Sequence, residues 1–476
     1  MPYRYGEREQ YQMFPMSIDE YVDKMDPVRA YDAFVDAINF KDIGIDLNEE
    51  RVGNPEYDPR AMVKLLLYGY SYGERSSRKL ERAMHHNLSF IWLMGGLTPD
   101  HKTIANFRRK HKKGLKQVLK MSVTMCLKLG LIEGNTLFVD GTKIRGNAGI
   151  KHTWDKKRCE KQMKEIDKRI EEILEICEKT DISEERDCSL VKMKSELQDK
   201  EALREEIKLI LKELETTERS RINSTDKECV NYHSREGSHS GYNGQMVVDD
   251  KAGVIVSSDV VNENNDRGQF ARQIEQAHEN MGKKCQESVA DAGYANTEEL
   301  SKIDAQGIKV IVPSQRQVEE KKISAFGKAN FKYDKEQDIY LCPQGKILRY
   351  VSYSKKDRKR IYKIEKQRIC QECSCFGTCT TFRKGKQICR IDKEEIKEKL
   401  EKQYLEKESQ GVYKRRKEKV EHPFGFIKRN LGFRYFLLRG LDGVKAEFAL
   451  AASVFNIVRS INLVGGVENF IKKIAA

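Results

Sequence analysis

The sequence predicts a mixed α/β fold, a sheet flanked by helices, preceded by an all-α N-terminal region and carrying a coiled-coil insertion and a Cys-rich β insertion. Three observations carry this. Short apolar runs end in a carboxylate followed by small residues, at Leu137–Val139 before Asp140 and at Ser288–Ala290 before Asp291, as buried strands do. Segments before residue 130 and after 406 repeat apolar residues at helical spacing, with capping residues at their starts. Two internal blocks, 151–235 and 316–405, change composition abruptly.

In the N-terminal region, residues 1–130, Asp58 can cap and Pro59 can open DPRAMVKLLLYGY, Ser76 or Ser77 can start SSRKLERAMHHN, and Asp100 can cap one long helix from His101 to Gly130. That helix carries Arg108, Arg109, Lys110, Lys112, Lys113 and Lys116 with few compensating acids. The cluster suits a phosphate backbone, with a solvated helix face as the alternative. The first core strand follows in 131–150. In 151–235, Cys159, Met163, Ile166, Ile170, Ile173 and Cys177 alternate four and three apart, and Leu203, Ile207, Ile210 and Leu214 do the same, so a helical hairpin broken near 181–188 is expected, its cysteines packing in its seam.

The core resumes over 236–315. GYNGQMVVDD and GVIVSSDVV read as a hairpin turning at Asp249–Gly253; a helix FARQIEQAHENM, the short strand before Asp291, a helix near Thr297–Ile303 and the strand IKVIVPS follow. Over 316–405 the chain turns to Lys, Arg, Tyr and Cys. Six of the twelve cysteines fall between Cys342 and Cys389, and that local crowding favours a metal over disulfides. Cys370-x2-Cys373 is a tetrahedral half-site, and Cys342 with Cys379 would complete a structural Zn²⁺ site that steadies a small sheet; Cys375 and Cys389 leave the choice of four open. In 406–476 a basic helical entry, Tyr413–Lys419, meets a hinge at His422-Pro423, and a last helix with Phe448, Ala451, Ala452, Phe455 and Val458 on one face is expected to cover the sheet.

There are 88 Lys+Arg against 74 Asp+Glu, a formal charge of +14, so the field of the whole chain favours a polyanionic partner. Met1–Phe14 lacks an apolar core of the signal-peptide kind, and no stretch approaches the roughly 20 apolar residues of a spanning helix, so an intracellular place without membrane contact is expected. Asp140 and Asp291 at strand ends, with Glu421 in basic company, form a plausible cage for two divalent cations; Mg²⁺ takes hard oxygen ligands and keeps positions for water and phosphate oxygens. Taken singly, Asp140 reads as a turn residue and Glu421 as a helix-surface partner of Lys417. Only the fold can bring the three together.

The residues also resemble a known family. YDPRAMVKLLLYGYSYGERSSRKLE with PDHKTIANFRRKH, FVDGTKIRGNAG, STDKE with GYNGQMVVD, VADAGY, VEHPFGFIKRNLGFRYFLLRGL, and LCPQG with CQECSCFGTC are similar, in that family's order, to segments of the DDE transposases of bacterial insertion sequences. The group is the one with an InsH-type N-terminal domain, an RNase H-like catalytic domain and a Cys-rich insert. The resemblance implies Asp140, Asp291 and Glu421 as a catalytic triad using Mg²⁺ or Mn²⁺, and double-stranded DNA as partner: cleavage at terminal inverted repeats, strand transfer into target DNA, and a homodimer acting on paired ends. Arg416, Glu421 and Lys428 resemble a Tyr-Arg-Glu-Lys signature whose basic residues handle phosphates. Tyr413 and Arg416 lie one residue further upstream than its common form, which leaves Lys417 competing with Arg416. Lys143 and Arg145, beside Asp140, are expected to reach the scissile strand. The other readings are a DNA-binding protein derived from a transposase and an RNase H-like nuclease without strand transfer.

Overall fold

The computed structural model describes residues 17–47, 56–181, 187–217, 219–234, 237–318, 325–355 and 358–475, leaving aside the side chains of 177–193 and 329. Its centre is a sheet of β1 (Thr136–Arg145), β2 (Gly237–Asp249), β3 (Ile255–Val261), β4 (Glu287–Val289) and β5 (Lys309–Ile311). The order is β3-β2-β1-β4-β5, with β2 antiparallel to both neighbours and β1, β4 and β5 mutually parallel, the arrangement of an RNase H-like sheet. Parallel neighbours need a crossover, and two helices provide it: α2 (Phe270–Met281) between β3 and β4, and α3 (Thr297–Asp304) between β4 and β5. One strand, Val230–Ser234, was not legible in the sequence; it pairs with the first half of β2.

The N-terminal helices begin as their caps predict. The Asp58 side chain accepts from the Arg60 N–H with Pro59 in the first turn, and that of Asp100 accepts from Thr103. The single helix expected over 101–130 is two, His101–Lys110 and α1 (Lys112–Lys128), because His111 leaves helical geometry at φ −108°, ψ 25°. The basic run is thereby divided between two axes. These helices share one apolar core with the sheet, so that Tyr31, Leu66, Phe138 and Phe448 belong to a single cluster.

The link is α6 (Leu441–Val464), which packs against α1, β3 and Pro59–Ser71. Its Phe448, Ala451, Ala452 and Phe455 are buried and Val458 partly so, as expected for a helix covering the sheet. Contrary to the sequence reading, this helix is long and apolar enough to cross a membrane, but most of its surface lies inside the fold. At its first turns Glu447, fully buried, pairs with Arg75 at 2.9 Å and accepts the N–H groups of Leu437 and Leu438, so the charge is satisfied from both the N-terminal region and the C-terminal loop.

The two insertions have cores of their own. Helices Lys156–Asp181 and Asp187–Thr217 form the hairpin, with Cys159, Ile166, Ile207, Ile210 and Leu214 in its seam, and its base is closed by the short ladder of Thr153–Trp154 with Ile222–Asn223. The expected seam position of Cys177 lies outside the described side chains. The Cys-rich block is a five-stranded antiparallel meander, Lys332–Asp334, Ile339–Leu341, Ile347–Ser354, Lys359–Ile364 and Gln387–Ile391, around Phe331, Tyr340, Leu348, Tyr362, Ile364 and Ile388. It leads into α4 (Glu394–Leu405), whose Gln403 donates to the Val310 carbonyl of β5, and then into α5 (Lys407–Arg429). The hinge expected at Pro423 is absent: α5 runs through it, because burial of Val420, Pro423 and Ile427 on one face offsets the single backbone bond that proline forfeits.

Candidate active site

The parallel register of β1 and β4 places two acids side by side. Phe138 is opposite Val289, so Asp140 and Asp291, each two residues further on, leave the sheet at the same level. Asp140 remains within β1, opposite Met246 of β2, and its Oδ1 accepts the Gly141 N–H at 2.9 Å; Asp291 caps a short turn by accepting the Gly293 N–H at 2.8 Å. From above, α5 brings Arg416 to 3.3 Å from Asp140 Oδ2, an ion pair not aligned as a hydrogen bond, while the Lys428 ammonium donates to Thr142 Oγ1.

The electrostatics are those of a site short of positive charge. Burial pushes the Asp140 carboxyl up to about 6; Arg416 and the Gly141 N–H oppose this, and Asp291 and Asp266 add to it. Tyr294, three residues beyond Asp291, is raised well above the ordinary tyrosine range by burial first and then by Asp266, Asp140 and Asp291. Burial lowers the Lys428 ammonium, and Asp140 acts against it.

Asp266 was missed in the sequence. It lies in the loop after β3, and its Oδ1 accepts from Asn243 Nδ2 and Gln245 Nε2, both at 2.7 Å, while Gln245 Oε1 accepts the Tyr294 hydroxyl. Its Oδ2 faces Asp291: the position a Gly293 Cβ would occupy is 3.6 Å from Asp266 Oδ2 and 2.9 Å from Asp291 Oδ1. The available signal was Asn243 and Gln245, two amides on one face of β2 just before its apolar run Met246–Val248. Buried amides need partners, but nothing in the sequence says that Asp266 is the one.

Glu421 is not drawn into this group. It stands exposed on α5, and its carboxylate takes no hydrogen bond or ion pair among the described residues, with Lys417 or otherwise. Between Arg416 and Lys417, it is Arg416 that turns inward, half-buried, while Lys417 is exposed. Among the described residues no three His, Cys, Asp or Glu side chains are gathered closely enough to hold a metal ion.

The basic residues divide similarly. Arg108, expected to face DNA, is 3% exposed and donates to the Arg75 carbonyl, so it holds the N-terminal helices together and is closed to phosphate. Arg109 and Lys113 are exposed and Lys112 is half-buried. Lys143 points its ammonium into a buried position without a hydrogen-bond partner, on the side of Asp266, whereas Arg145 is exposed beside His239. In the Cys-rich sheet, Cys342, Cys370, Cys373, Cys375 and Cys379 line one small cavity, while Cys389 lies on the last strand beside Gln387.

Comparison with known proteins adds two matches. Residues 16–110 match the family described as transposase domain (DUF772), and residues 341–461 match the transposase DDE domain. The second stretch holds Arg416, Glu421 and Lys428 together with the Cys-rich sheet; Asp140 and Asp291 lie between the two. No curated protein matches the chain. A solved structure described as the cryo-EM structure of piggyBac transposase synaptic complex with hairpin DNA is 8% identical over 94% of this chain and 79% of its own, with a TM-score of 0.34. A transposase domain is thus matched at each end of the chain, and both ends pack into one core with the sheet.

Proposed function

We propose that this chain is a transposase that cuts DNA at the terminal inverted repeats of a mobile element and joins the freed 3′-hydroxyls to target DNA, in a reaction dependent on Mg²⁺ or Mn²⁺. The observation that carries the reading is the level placement of Asp140 and Asp291 on neighbouring parallel strands beneath Arg416. The donor set suits a hard divalent cation: both acids offer oxygen ligands, and an Asp140 carboxyl that stays raised despite Arg416 lacks compensating charge. Asp140, Asp291 and Glu421 would hold the metal, which supplies Lewis-acid polarisation of the phosphodiester when bound. Glu421 lies within two helical turns of both Arg416 and Lys428 on α5, and in this reading it turns inward as DNA docks.

The chain's own cations do the positioning. Arg416 and Lys428 flank Asp140 and can grip the phosphates on either side of the scissile bond, and exposed Arg145 extends this grip along β1. Arg109, Lys112 and Lys113 track the duplex backbone further out. A homodimer on paired ends completes the reading.

The test is a donor-cleavage and strand-transfer assay with the purified chain. Asp140→Asn and Asp291→Asn should abolish cleavage while DNA retention on a gel persists; full activity in either would sink the assignment. Full activity in Glu421→Gln would remove that residue alone. Cleavage without joining to target would leave a nuclease, and DNA retention without cleavage in the unaltered chain would leave a DNA-binding derivative.

A further inference from the structure

The Cys-rich sheet has an apolar core of six buried side chains, and α4 follows its last strand directly. A sheet of this size rarely holds itself by burial alone. The thiols collect at one end of that core. Cys342, Cys370 and Cys379 pack against it, and Cys373 joins them around the same cavity, one helical turn after Cys370, whose carbonyl accepts the Cys373 N–H.

Two turns present the sulfurs in the same manner. After Cys342 the chain reverses through Gly345, at φ +71°, and the Lys346 N–H points at Cys342 Sγ at 3.3 Å. At the other side Gly385, at φ +80°, lets the Lys386 N–H reach Cys370 Sγ at 3.4 Å; a Cβ at Gly385 would stand 2.5 Å from Ile364 and 3.3 Å from that sulfur, so glycine is required there on both counts. Backbone N–H groups aimed at sulfur are the outer hydrogen bonds that hold a metal-ligating cysteine in place. The Lys346 and Lys386 side chains also border the cavity, which suits the net negative charge of a four-thiolate centre.

We propose that Cys342, Cys370, Cys373 and Cys379 bind one structural Zn²⁺ that closes the Cys-rich sheet, with Cys375 and Cys389 outside the set. The four thiols ring the cavity without being drawn together, and a tetrahedral ion with sulfur at about 2.3 Å would draw them in. Cys375 is the spacer of the loop: its carbonyl accepts the N–H groups of Thr378 and Cys379, and its thiol lies 3.9 Å from Ser374 Oγ. Cys389 is absent from the cavity wall. Since α4 and α5 follow this sheet directly, the ion would also steady the start of the helix that carries Arg416.

The experiment uses the full chain purified under reducing conditions, with zinc measured by mass spectrometry and Co²⁺ exchanged in as a spectroscopic probe. One zinc per chain is expected in the unaltered protein, in Cys375→Ser and in Cys389→Ser, and the cobalt form should show the absorption of four thiolates in a tetrahedron. Cys342→Ser, Cys370→Ser, Cys373→Ser and Cys379→Ser should each lose zinc to a competing chelator at least tenfold more readily. No zinc in the unaltered chain, zinc lost equally from Cys375→Ser or Cys389→Ser, or zinc kept in any of the four would overturn the assignment. Where a variant does not fold, the cobalt spectrum of the unaltered chain decides, and fewer than four thiolates in it counts against the proposal. None of these readouts depends on DNA cleavage.

Discussion

The α/β core and the Cys-rich sheet are built from similar strands but are held in opposite ways. The core joins the sheet, the N-terminal helices and α6 in one cluster, and it has enough buried surface to keep an under-compensated carboxylate at Asp140 and a fully buried Glu447. The Cys-rich sheet has a core cluster of six buried apolar side chains, a strand, Ile347–Ser354, that is exposed along most of its length, and a ring of thiols. Stability that exceeds need can be spent on a reactive site; where it is scarce, local cross-links do the holding.

The largest test of this contrast is Arg75→Ala. It leaves Glu447 buried without its charge partner, and we expect a loss of about 3–5 kcal/mol in global stability by denaturant titration; a loss under about 1 kcal/mol would show that the Leu437 and Leu438 N–H groups suffice. Tyr362→Ala should cost a similar intrinsic amount, about 3–5 kcal/mol, since it removes a buried ring that meets Tyr340 at 5.0 Å and a hydroxyl bonded to Asp338. Its effect should stay local, with hydrogen-exchange protection lost over 347–364 while the core melts as before. A parallel fall in the core would mean that the two regions unfold as one.

Asp140→Asn sharpens the comparison from the other side. Asp140 keeps its proton up to about 6 in the folded chain, against about 4 when unfolded, so folding takes up a proton between these values. The charged carboxylate therefore weakens the fold fully above pH 6 and not at all below about 4. In the absence of divalent ions the variant should be more stable than the parent by up to about 3 kcal/mol at pH 8, with the gain vanishing at pH 4. An equal gain at both pH values would assign it to packing.

Smaller effects should follow the surface. Replacing Arg109 and Lys113 together by alanine should lower the salt slope of DNA binding by about 2 without changing the melting point, whereas Arg108→Ala, at the buried position next to Arg109, should destabilise the chain. Arg169→Ala, which breaks a solvent-facing pair with Glu196 on the hairpin, should leave the melting temperature unchanged.

By itself the sequence determined whatever depends on neighbours along the chain. Capping residues located the starts of helices, alternation and turn chemistry located β1 to β5, and three-four spacing located the hairpin seam. The order of those elements indicated an α/β sheet of mixed pairing with Asp140 and Asp291 at its strand ends, and the resemblance to DDE transposases implied its RNase H-like form. Tertiary structure decided what depends on neighbours across the fold. It buried Arg108 while exposing Arg109, carried α5 straight through Pro423, turned Arg416 inward in place of Lys417, left Glu421 in solvent, and set Asp266 beside Asp291 through Asn243 and Gln245. The reason is physical: a side chain's spacing follows from its own segment, whereas its burial and partners follow from which other segment is folded against it.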